Sequence, residues 1–116
     1  MHGHNYRAEL TAVAKELDPV GRVVDFGELK RLIGGWIDAN WDHQFLLSCD
    51  DVAGAELLQE LEGREPFYIK SNPTAENIAR TLMSVGSSLL SDANTRIKLT
   101  RVRVWETDTC YATVDA

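Results

Sequence analysis

Residues 2–13 carry a period of two, and that period commits the start of the chain to a β-strand. His2, His4, Tyr6, Ala8, Leu10 and Ala12 share one face, and Asn5, Arg7, Glu9, Thr11 and Val13 share the other. The strand rise sets the Cα atoms of His2 and His4 about 7 Å apart on the same side. Imidazole is a good zinc ligand, so the pair is half of a metal site. A catalytic zinc usually takes three protein ligands and a water. His43 is the only other histidine of the chain. On spacing alone, the pair reads more readily as an incidental terminal H-x-H than as a metal site.

A second parity argument comes from the other end. In 96–104, Ile97 and Leu99 lie on one parity, Val102 and Val104 on the other. A strand keeps one buried face through such a shift only with an irregularity, so a bulge is expected near Thr100. After the shift Glu106 falls on the apolar parity, where a carboxylate needs a partner or a ligand. The alternative is a solvated turn residue just past the strand. Residues 109–114 form the return strand.

Between these ends the turn formers Asp18, Pro19 and Gly21 precede a short strand at 22–26. Leu29, Leu32, Ile33, Trp36 and Ile37 then follow a helical period, with Asp25 as cap and Gly34 and Gly35 as weak points. Residues 51–61 form a short helix stopped by Gly63, and 67–70 are extended. Pro73 leads into Thr74, the N-cap of a long helix carrying Ile78, Leu82, Val85 and Leu89. The expected fold is α+β, an antiparallel sheet with two helices packed on one face. Its narrow sheet has open edges, which a neighbouring subunit is the simplest way to cover.

The 116 residues fit one domain spanning 1–116. A net charge of −6 argues against a general nucleic-acid surface. No apolar run approaches the ~20 residues of a membrane span, and no signal-peptide pattern opens the chain, so a cytoplasmic location is expected, with neither nucleic acid nor membrane as partner. Cys49 and Cys110 lack C-x-x-C spacing and suggest neither a disulfide framework nor a thiolate zinc site.

The blocks HGHNY at 2–6, GRVVDFGELK at 21–30, WDHQFLL at 41–47, NPTAENIA at 72–79 and VWET at 104–107 occur in the order found in the 6-pyruvoyl-tetrahydropterin and 6-carboxy-tetrahydropterin synthase family. Spread over nearly the whole chain, they make a specific resemblance. It implies the tunnelling fold, in which subunits pack their sheets edge to edge into a barrel, as a homo-oligomer of three or six. It implies a zinc-dependent carbon–oxygen lyase that acts on 7,8-dihydroneopterin triphosphate and forms 6-carboxy-5,6,7,8-tetrahydropterin, a queuosine precursor. The alternatives are 6-pyruvoyl-tetrahydropterin synthase activity and a non-catalytic pterin-binding or assembly relative.

By the same resemblance His2 and His4 match two of three Zn²⁺ ligands, Asp42 and His43 a proton-transfer pair, and Glu106 the carboxylate that anchors the pterin ring. Thr74 matches a position that shapes the substrate pocket, as do Asp25, Phe26, Pro73, Glu76 and Asn77. The family's earlier strand with its first zinc histidine, and the cysteine before the HGH block, have no counterpart in these 116 residues. The sheet is therefore expected without that strand. Imidazole exchanges protons near neutral pH, which suits the relay. Read without the resemblance, Asp42 and His43 are more readily a helix-end pair with a solvated Asp.

Overall fold

Asp18 organises the first loop, and Asp25 decides where helix begins. A computed structural model describes residues 3–63 and 65–116, the side chain of Glu62 apart. β1 is Arg7–Ala14. Residues 3–6 precede it without regular structure, so the expected strand starts later than its alternation.

The expected strand at 22–26 does not form, and the reason is local. The Asp18 carboxylate accepts from the backbone N–H of Val20 at 3.1 Å and of Arg22 at 2.8 Å, and Asp18 N–H donates to the Arg22 carbonyl at 2.7 Å. Arg22 thus has no backbone group left for a ladder. Three residues on, Asp25 accepts from Gly27 N–H and caps α1, Phe26–Leu29. Val23 and Val24 still pack against the core, which accounts for their apolar pattern.

Helical backbone runs on from α1 through a π-helical turn, Lys30–Gly34, into α2, Gly35–Asn40. α3 is Val52–Glu62, capped by Asp51 and stopped by Gly63 at φ 61°. α4 is Ala75–Asp92, and its cap Thr74 accepts from Asn77 N–H at 3.2 Å.

β4, Ile97–Trp105, pairs antiparallel with β1 on one side and with β5, Tyr111–Asp115, on the other. Thr11 faces Arg101 while Ala12 faces Leu99, leaving Thr100 as the extra residue. This is the bulge that the parity shift required. It keeps Ile97, Leu99, Val102 and Val104 on one buried face. α4 crosses that face so closely that a Cβ on Gly86 would stand 2.7 Å from Leu99 Cδ1. Leu82, Leu90, Val102 and Val104 are fully buried, and Ile33 of the π-helical turn joins their cluster. Burying each such side chain contributes about 1.5–3 kcal/mol.

A second sheet was not anticipated. β2, Leu46–Ser48, and β3, Phe67–Ile69, pair in parallel. Three-residue strands are too short to display alternation. Mixed α+β architecture holds as expected, with β1 and β5 as the outer strands of the larger sheet.

Candidate functional site

The end of β4 and the residues before β1 meet because those two strands pair with Arg7 opposite Trp105. One residue past Trp105, the Glu106 carboxylate comes to 3.6 Å from His4 Nε2. Glu106 thus finds the partner that its place on the apolar parity demanded. Its N–H donates to the Cys110 carbonyl at 3.0 Å, which fixes it at the neck of the β4–β5 hairpin. The Tyr6 ring meets the His4 ring edge-on, centroids 5.5 Å apart. Burial raises the Tyr6 hydroxyl above the usual tyrosine range, and the nearby Glu106 charge adds to the rise. Tyr6 is therefore a protonated donor at neutral pH. The pair is about one-third exposed, His4 28% and Glu106 38%, so a ligand reaches it without opening the fold.

Asp42 and His43 form a separate pair just beyond α2. Asp42 Oδ1 lies 3.1 Å from His43 Nδ1. That contact leaves Nε2 pointing away from the carboxylate. His43 has left-handed backbone, φ 56°, and its side chain is 92% exposed. Trp41, directly before them, packs on Trp36 and Phe67, which anchors the segment. Thr74 uses its hydroxyl oxygen to cap α4, and its O–H hydrogen stays available to donate.

The expectation of Zn²⁺ is overturned. Among the described residues, no three His, Cys, Asp or Glu side chains converge closely enough to hold a metal ion. His4 is joined by one carboxylate, Glu106, and the Asp42–His43 pair does not complete a set of three with them. His2, the other expected ligand, lies outside the described residues. Among the described residues, the two donors His4 and Glu106 fall short of the three protein ligands a zinc centre needs. Tyr6 and the Cys110 carbonyl are the neighbours that sequence reasoning did not assign. Tyr6 was legible as a member of the His4 face, whereas the Cys110 contact depends on the hairpin's length.

Comparison with known proteins bears on the whole chain. Residues 1–116 match the family model for 6-pyruvoyl tetrahydropterin synthase. The 6-carboxy-5,6,7,8-tetrahydropterin synthase of Rickettsia bellii is 38% identical over 114 residues, 98% of this chain and 82% of that protein. Its counterpart from Rickettsia typhi is 38% identical over 115 residues with the same coverage. The crystal structure of an uncharacterized protein from Wolinella succinogenes superposes with a TM-score of 0.79 at 23% identity, covering 98% of this chain and 78% of that one. This last likeness speaks for the fold alone.

Proposed function

Because this chain belongs to the 6-pyruvoyl tetrahydropterin synthase family, we propose that it is a lyase acting on 7,8-dihydroneopterin triphosphate and forming 6-carboxy-5,6,7,8-tetrahydropterin. Its similarity to Rickettsia proteins of that name supports the choice of product. The observation that carries the reading is the Glu106 carboxylate held beside His4 at an accessible strand end.

Each residue then has a task its chemistry suits. Glu106 accepts charge-assisted hydrogen bonds from the amino and ring N–H groups of the pterin. Tyr6 donates beside it. Asp42 holds His43 by Nδ1, and Nε2 exchanges a proton with the substrate side chain as triphosphate leaves. Thr74 donates to the substrate from the start of α4.

His43 stands in open solvent in one subunit, and a neighbouring copy would wall the site. We therefore propose a homo-oligomer, a trimer or hexamer of one tunnelling-fold domain per chain. The outer strands β1 and β5 and the 85% exposed Phe26 support it. No described helix is long and apolar enough to cross a membrane, and a cytoplasmic site of action fits the substrate.

The test is to incubate the purified chain with 7,8-dihydroneopterin triphosphate and resolve the products by mass. The 6-carboxy product is expected. A 6-pyruvoyl product would move the chain to the other branch, and unchanged substrate would overturn the lyase.

A further inference from the structure

The face of the larger sheet turned away from α4 has its own chemistry. Alternation puts Arg7, Lys98, Arg101 and Arg103 on it, opposed by Glu9 and Asp115. Four cations against two anions leave this face at +2, on a chain whose net charge is −6. The positive charge is also fixed in place. Arg7 Cζ lies 4.6 Å from the centroid of the Trp105 ring, and Arg103 Cζ lies 4.2 Å from that of Tyr111. The two rings pack on each other at 4.5 Å, and Trp105 Nε1 donates to Glu9 at 3.1 Å. Glu9 also stands 3.6 Å from Arg7, and Arg103 Nε donates to Thr113 Oγ1 at 3.0 Å.

A guanidinium stacked on a ring uses its face and keeps in-plane N–H groups for an oxyanion. Because stacking has already restricted both side chains, less rotamer freedom is lost on binding. Arg7 faces Trp105, and Arg103 lies two residues back on β4, so the cations sit diagonally across two strands. Two ring-stacked guanidiniums on neighbouring strands suit a chain of phosphates carrying several charges better than a single phosphate. A nucleic-acid base is a poorer fit, since stacking needs free ring faces and each ring already carries an arginine.

We propose that this panel is a polyphosphate site, built from residues other than the His4–Glu106 pair. The choice of triphosphate as occupant rests on the pterin reading above; the anion site itself does not. Either the triphosphate carried by the substrate or the free anion after elimination has the required chemistry.

The test is isothermal titration of the purified chain with sodium triphosphate, orthophosphate and 7,8-dihydroneopterin triphosphate in separate arms, at two ionic strengths. Triphosphate should bind saturably, more weakly at high salt, and more tightly than orthophosphate. Arg7→Gln and Arg103→Gln should each weaken it about tenfold, and Glu9→Gln should tighten it by removing an opposing charge. Arg101→Gln serves if either arginine variant melts early. Glu106→Gln should leave free triphosphate affinity unchanged. Arginine dependence confined to the pterin ester would assign the panel to the substrate's own phosphates. Equal affinities in wild type and every arginine variant, or orthophosphate binding as tightly as triphosphate, would overturn the site. Arginine-dependent triphosphate binding without pterin turnover would overturn the lyase and leave the panel standing.

Discussion

Asp18 shows how one side chain reshapes a segment that composition alone misassigns. Val23 and Val24 look like strand, yet Asp18 holds both backbone groups of Arg22, and its Oδ2 accepts from Arg22 Nε at 2.9 Å. The Arg22 N–H, with the guanidinium behind it, keeps the Asp18 carboxyl below its ordinary value of 3.8. A carboxylate depressed in the folded state contributes stability that is full above its unfolded value and is lost as pH falls through the folded one. Melting temperature should therefore fall as pH drops below about 4, and Asp18→Asn should flatten that part of the profile. A variant with an unchanged acid slope would contradict the assignment. Such side-chain-to-backbone rings are hard to read in sequence, because Asp also occurs in plain turns.

At the element scale, legibility followed the length of the pattern. The Thr100 bulge was legible because nine residues of β4 display both parities. α3 and α4 were legible from Gly63, which stops the one, and Thr74, which caps the other. β2 and β3 were not, since a parallel pair of three-residue strands is decided by tertiary contact.

Gly34 and Gly35 are weak points of a helix that close packing against a sheet would explain, and the structure shows no such packing at Gly35. A Cβ there meets nothing within 4 Å, and the backbone is right-handed helical. Gly35→Ala should raise stability by about 0.5–1 kcal/mol in denaturant unfolding. Thr74→Ala should cost about 1 kcal/mol through loss of the α4 cap, and Thr74→Ser should restore it. Failure of the serine rescue would mean that the cap is not what Thr74 contributes to stability.

For the whole molecule, the sheet leaves two outer strands and an apolar side chain, Phe26, in solvent. Light scattering on the purified protein should give the mass of three or six chains, and Phe26→Glu should reduce it; a monomer in both would contradict the assembly. The approach of Glu106 to His4 was foreshadowed by the carboxylate's parity and produced by β1–β4 register. Among the described residues no zinc centre forms, because position on a strand face supplies direction and no set of three ligands converges there. Central to the proposed activity is a pterin held by Glu106. Equilibrium titration of 7,8-dihydroneopterin triphosphate into wild type and Glu106→Gln tests this most directly. Loss of a charge-assisted pair predicts an affinity at least about tenfold weaker in the variant with an unchanged melting temperature. Equal affinity in the two proteins would contradict the account.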